Sequence, residues 1–119
     1  MKKILIIEDD LDFLDEIADI LRYENFEVIK AANGNDGIKF AGKYKPDLVL
    51  CDILMPVIDG FEVLRKLKEY SHLFWAPFIF ITALDGKNLQ QGMEQGADGY
   101  LIKPFSRMEL LNKIHSQLK

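Results

Sequence analysis

Short apolar runs alternate with amphipathic stretches along this whole sequence, and that rhythm leaves few folds open. Residues 3–7 (KILII) are a branched run without helical period, which reads as a buried strand. Leu11, Leu14, Ile17, Ala18 and Leu21 then recur at three- and four-residue spacings, one face of a helix. Phe13 and Ile20 widen that stripe, and Asp12, Asp15, Glu16 and Asp19 fill the other side. Residues 26–30 (FEVIK) alternate like a strand near a sheet edge, and residues 34–44 form a weaker amphipathic helix closed by the Lys45-Pro46 step. The second half repeats the pattern. Residues 47–52 (DLVLCD) are an apolar strand that ends on a carboxylate, and Phe61, Val63, Leu64 and Leu67 mark the next helix. Residues 77–81 (PFIFI) read as a fourth strand, residues 87–95 as a polar helix with little to bury, and residues 99–102 (GYLI) as a short fifth strand. Leu110, Leu111, Ile114 and Leu118 mark a last helix, with Ser106 as N-cap and Glu109 three residues on.

Strands that alternate with helices pair in parallel through right-handed crossovers, with helices on both faces of the sheet. The expected fold is therefore α/β: a (βα)5 doubly wound, flavodoxin-like sheet of five parallel strands in the order 2-1-3-4-5. The 119 residues suit one domain over 1–119, with no longer repeat, low-complexity tract or linker to divide them. Hydrophobic residues at 49% and charged residues at 29% fit a globular chain rather than a disordered one. Cys51 is the lone cysteine, which rules out an intrachain disulfide and fits a reducing compartment. The apolar runs are far shorter than a membrane span, and the start MKKILIIEDD reaches acid too early for a signal peptide. A net charge of −4 gives no reason to expect direct nucleic-acid binding. The expectation is a soluble, cytoplasmic domain.

In an open parallel sheet, sites form beyond the carboxyl ends of the strands where the strand order reverses, here between the first and third strands. The first strand ends in Glu8-Asp9-Asp10 and the third in Asp52, so several carboxylates converge on one crevice. Unneutralised they repel one another, and hard oxygen ligands with room for water favour Mg²⁺ as the remedy. The blander reading is that Asp9 or Asp10 caps the first helix; Asp10, immediately before the helical stripe, is the better cap. The fourth strand stops at Thr82-Ala83 and the fifth at Lys103-Pro104. A hydroxyl at Thr82, space beside Ala83 and an ammonium at Lys103 complete a site for a phosphoryl group that Asp52 attacks in line. Taken singly, Thr82 reads equally as a strand-end hydroxyl and Lys103 as a solvated surface lysine.

These residues resemble the receiver domain of two-component response regulators, the CheY-like superfamily, over the whole chain. The resemblance rests on Glu8-Asp9-Asp10, Asp52 within DILMPVIDG, Thr82-Ala83 and Lys103-Pro104-Phe105, in that order and spacing. It implies that Asp52 takes phosphate from a histidine kinase phosphohistidine or a phosphotransfer protein. It further implies that Asp9, Asp52 and the backbone carbonyl of Leu54 bind Mg²⁺ directly while Glu8 acts through a water. Thr82 and the Ala83 amide would hold phosphoryl oxygens, Lys103 would pair with one, and the Lys103-Pro104 bond would be cis. Gly60 would suit a backbone turn that alanine strains. Thr82 would move inward on phosphorylation and Tyr100, similar to the family's switch aromatic, would rotate behind it; the alternative is a half-buried strand tyrosine without a role. The readout face would be the fourth helix, fifth strand and fifth helix, facing an output domain or partner, and the family often dimerises there. No conventional enzymatic turnover is expected.

Several features depart from the pattern or stand outside it. Leu54 and Leu84 are aliphatic where the family varies, so neither can orient a water, and slow hydrolysis of phospho-Asp52 is expected. Residues 70–75 (YSHLFW) place Trp75 either over the base of the third helix or in an exposed patch that docks a partner or second copy. His72 and His115 lack paired ligands and read as surface residues. No DNA-binding or enzymatic output region is visible, which fits a stand-alone messenger or a receiver belonging to a longer regulator or hybrid kinase. An aspartyl phosphohydrolase would need a second acid where Leu54 stands, and a flavin carrier a phosphate-cradling loop where EDDLD stands. A silent docking receiver would be expected to have lost the acceptor, an acid or the lysine.

Overall fold

The computed structural model describes residues 1–70, 76–83 and 87–118, except for the side chains of residues 87 and 88. Five strands alternate with five helices: β1 (Lys3–Ile7), α1 (Leu11–Tyr23), β2 (Glu27–Ala31), α2 (Gly34–Tyr44), β3 (Leu48–Asp52), α3 (Gly60–Glu69), β4 (Phe78–Thr82), α4 (Lys87–Gln95), β5 (Gly99–Ile102) and α5 (Arg107–Gln117). The strands form one sheet in the order β2-β1-β3-β4-β5. Every neighbouring pair is parallel.

Residues 4–7, 48–51 and 78–81 are apolar at every position because both faces of the sheet are covered there. Alternation divides each run between two cores. Leu5, Ile7, Val49, Cys51, Phe78 and Phe80 face a core with Ala41 of α2, Val63, Leu64 and Leu67 of α3, and Leu89 of α4. Ile4, Ile6, Leu48, Leu50, Ile79, Ile81 and Leu101 face the other, with Leu14, Ile17, Ala18 and Leu21 of α1 and Leu110 and Ile114 of α5. Each Val, Leu, Ile or Phe among them, fully buried, contributes roughly 1.5–3 kcal/mol.

Local polar chemistry sets where the helices begin. Asp10 caps α1, its carboxylate accepting from the Asp12 and Phe13 N–H groups. Ser106 and Glu109 form the reciprocal capping box expected at α5. Asn33 caps α2 and Asp59 caps α3 in the same manner.

The structure corrects three details. β2 starts at Glu27, because the Phe26 N–H closes the turn onto the Leu21 carbonyl and the Phe26 ring is buried. Leu11, assigned to the buried stripe of α1, is 59% exposed. As the first helical residue it extends past the carboxyl edge of the sheet, where no strand lies beneath it. α4 buries more than its polar composition suggests: Leu89 is in the core, and a Cβ on Gly92 would lie 2.5 Å from the Phe80 ring. Trp75, His72 and Leu84 lie outside the described residues; His115 is exposed, its ring 5.9 Å from that of Phe26. Among the described residues, no helix is long and apolar enough to cross a membrane.

Candidate functional site

The register of the sheet brings the ends of four strands to one edge. Ile7, the last residue of β1, pairs with Cys51 of β3; Asp52 pairs with Ile81, and Thr82 with Ile102. Glu8, Asp52, Thr82 and Lys103 thus follow or end adjacent strands. Glu8, Asp52 and Thr82 are all buried, whereas Asp9 is exposed at the mouth. Glu8, Asp9 and Asp52 each present a carboxylate oxygen, and these oxygens all lie within 4.8 Å of one another. Asp10 is separate from this group, its carboxylate occupied as the α1 cap.

Lys103 ties the cluster together across 95 residues of sequence. Its Nζ donates to Glu8 Oε1 at 2.7 Å and to Asp52 Oδ2 at 3.3 Å. The other Glu8 oxygen accepts the Asp10 N–H at 3.2 Å, and Asp52 Oδ1 accepts the Ile53 N–H at 2.7 Å. The lysine backbone is anchored too: its N–H donates to the Thr82 carbonyl at 2.8 Å, and the Lys103–Pro104 bond is cis.

The electrostatics show a surplus of negative charge. Burial pushes the Glu8 carboxyl above its ordinary range, opposed by Lys103 and reinforced by the charge of Asp52. Asp9 is also raised, by desolvation in the crevice and by Glu8. Burial works to lower the Lys103 ammonium, but the contact with Glu8 and the charges of Asp52 and Glu8 outweigh it and hold the lysine protonated. Burial, with Asp52, Glu8 and Asp59, pushes the Cys51 thiol up, so it remains a neutral core group beside the acid. Three carboxylates against one ammonium make a hard-oxygen set suited to a divalent cation such as Mg²⁺.

Two residues play parts that the sequence did not reveal. The Phe13 ring, expected only to widen the α1 stripe, has the Lys103 ammonium 4.3 Å from its centroid. Nothing in the local sequence signals this, because it depends on α1 and the end of β5 meeting in space. Gly60 was assigned to a turn, but it is the first residue of α3 and its need for glycine is steric. A Cβ there would collide with the Asp52 carbonyl oxygen and sit 2.8 Å from Ile53 Cα. Its N–H donates to the Ile53 carbonyl at 2.8 Å, so α3 starts directly against the chain that follows Asp52. Tyr100, expected to be a switch aromatic or else a half-buried strand tyrosine, is 41% exposed on β5, and Ala83 and the Leu54 side chain are exposed.

A five-stranded doubly wound sheet with an acid cluster and a lysine at its switch point defines the CheY-like class of α/β domains. The chain belongs to the response regulator receiver domain family, whose profile matches residues 4–115. It is a receiver domain of the two-component type, a family of signalling switches. Among curated proteins it is 39% identical over 112 residues to the probable transcriptional regulator ycf29 of Porphyra purpurea, covering 93% of this chain and 54% of that protein. The chain spans about half the length of the curated relatives it matches. Among solved structures, chemotaxis protein CheY4 of Vibrio cholerae superposes with a TM-score of 0.92 at 28% identity, covering 99% of both chains. The receiver domain of sensor histidine kinase PA1611 from Pseudomonas aeruginosa, which has a magnesium ion coordinated in its active-site cleft, superposes at 0.90 with 27% identity, covering 98% of this chain and 97% of that one.

Proposed function

We propose that Asp52 is the phosphoacceptor of a two-component phosphorelay and that residues 1–119 act as a single receiver domain. The observation that carries this reading is the bridging of Glu8 and Asp52 by one lysine ammonium in a buried crevice at the switch point. A structural ion pair would need one acid; a lysine shared between two leaves an unbalanced site suited to a cation and an incoming anionic group.

In the proposed reaction an Asp52 carboxylate oxygen attacks the phosphorus of a phosphohistidine on a sensor kinase or phosphotransfer protein. The P–N bond breaks, and its electron pair leaves with the imidazole nitrogen. A Mg²⁺ held by Asp9, Asp52 and the Leu54 carbonyl, with Glu8 acting through water, would offset negative charge on the transferring group. Lys103 moves from Asp52 Oδ2 to a phosphoryl oxygen, and the Thr82 hydroxyl and Ala83 N–H supply further donors. Binding of magnesium by the PA1611 receiver supports the metal part of this reading. The Thr82 movement would then be read by Tyr100 and the face of α4, β5 and α5, signalling to an output domain, a separate partner or a second copy. Transcriptional output, as the names of the curated relatives suggest, would lie outside this domain.

Incubation with phosphoramidate or acetyl phosphate and Mg²⁺, followed by intact mass, tests the assignment. One added phosphoryl mass on the wild type and none on Asp52→Asn is the expected result. An unlabelled wild type, or undiminished labelling of the variant, overturns it.

A further inference from the structure

We propose that Phe13 is a positioning residue for Lys103, its aromatic face holding the ammonium in the crevice while the lysine exchanges Asp52 for the phosphoryl group. This role rests on the phosphoacceptor reading above.

Three attractors surround the lysine Nζ: Glu8 Oε1 at 2.7 Å, Asp52 Oδ2 at 3.3 Å and the Phe13 ring centroid at 4.3 Å. The first two are carboxylates at strand ends, whereas the ring comes from α1. The ring is itself held by an edge-to-face contact with Phe105, centroids 5.8 Å apart and planes at 80°. Phe105 is two residues beyond Lys103, so the contact returns to the segment that carries the lysine. Phe13 also forms part of a groove with Ile20, Phe105 and Leu110 between α1 and the start of α5.

Apolar packing alone would be met by leucine, the commonest residue on such helical stripes, which offers no negative π face. Lysine is a point charge on a flexible stem and does not hold an orientation without fixed partners. During transfer its contact with Asp52 is given up as the carboxylate becomes an acyl phosphate. Glu8 and the Phe13 ring are the contacts that need not change. A quadrupole interacts with the cation without consuming an N–H donor, so the donors stay available to Glu8 and to the arriving oxygen.

The test uses the full chain with Phe13 replaced by leucine, by tyrosine and by 3,4,5-trifluorophenylalanine. The last nearly keeps the ring's shape while cancelling its quadrupole, so the test stands even where leucine disturbs folding. Two quantities are read in Mg²⁺ buffer: the ε-CH₂ proton shift of Lys103 before any donor is added, and the rate of phosphoryl mass gain from phosphoramidate. An upfield ring-current shift is expected in the wild type and the tyrosine variant and lost with leucine. Leucine and the trifluorinated ring are each expected to slow labelling about fivefold at unchanged thermal midpoint, the rate equivalent of about 1 kcal/mol, while tyrosine labels at the wild-type rate. Wild-type labelling by the trifluorinated variant overturns the proposal, as does an ordinary Lys103 shift in the wild type. A wild type that shows the ring-current shift but takes no phosphoryl mass overturns the phosphoacceptor reading and, with it, the role of the contact.

Discussion

Replacing Lys103 by methionine removes the ammonium while keeping most of the stem. Glu8 has no exposed surface and would lose its 2.7 Å partner, retaining the Asp10 N–H at 3.2 Å. Burial already raises the Glu8 pKa, so the folded chain holds that proton more tightly than the unfolded chain does. A carboxyl raised in the folded state contributes stability below its unfolded value and loses it as pH rises through the folded value. Without the lysine the folded value climbs further, and the loss extends to higher pH. If Glu8 becomes fully protonated, the cost has a ceiling set by the distance of the pH from the ordinary value of 4.5. That ceiling is about 3.4 kcal/mol at pH 7 and about 0.8 kcal/mol at pH 5. Relief of the lysine's own partial burial brings the expected loss at pH 7 to about 2–3 kcal/mol. Urea unfolding in EDTA, followed by circular dichroism at both pH values, measures it. Adding Glu8→Gln to Lys103→Met should recover most of the loss. A cost under about 1 kcal/mol at pH 7, the same cost at both pH values, or no recovery in the double variant would refute a lysine that neutralises a buried Glu8.

Asp9→Asn should raise the thermal midpoint in EDTA, because it removes a carboxylate whose pKa is raised by desolvation and by neighbouring Glu8, and should lose most of the midpoint gain that Mg²⁺ gives the wild type. In the wild type, Mg²⁺ at ten times its dissociation constant should add about 1.4 kcal/mol; equal Mg²⁺ gains in both proteins would count against Asp9 as a ligand. Gly60→Ala should cost about 2–3 kcal/mol in urea unfolding, since the added methyl meets backbone of the Asp52–Ile53 segment rather than a movable side chain; a neutral result would show that α3 can shift away. Phospho-Asp52 should persist for many minutes in Mg²⁺ buffer and decay faster in Leu54→Asn, whose amide can orient a water; wild-type decay within seconds would contradict the shielding role of the exposed Leu54 side chain.

Most of this fold was legible in the sequence because a doubly wound sheet is specified by local periodicity. A strand covered on both faces must be apolar where it is covered, as residues 4–7 (ILII) and 77–81 (PFIFI) are, and a helix covering one face must repeat every three or four residues. Caps are local as well, which is why Asp10, Ser106 and Glu109 could be assigned before any contact was known. Convergence of Glu8, Asp9 and Asp52 also followed from the sequence, because their order along the chain together with the topology rule places the ends of the first and third strands side by side.

Tertiary structure alone decided which atoms meet within that crevice. The sharing of Lys103 between Glu8 and Asp52, with the Phe13 ring beside it, joins residues as much as 95 positions apart. The collision that requires glycine at position 60 arises because the start of α3 lies against the backbone after Asp52. The 59% exposure of Leu11, in phase with its buried neighbours, reflects where the sheet ends rather than any property of the helix. Periodicity reports which way a side chain points from its own backbone; how far a neighbouring element extends, and which atoms it brings within reach, is set by the packing of the whole chain.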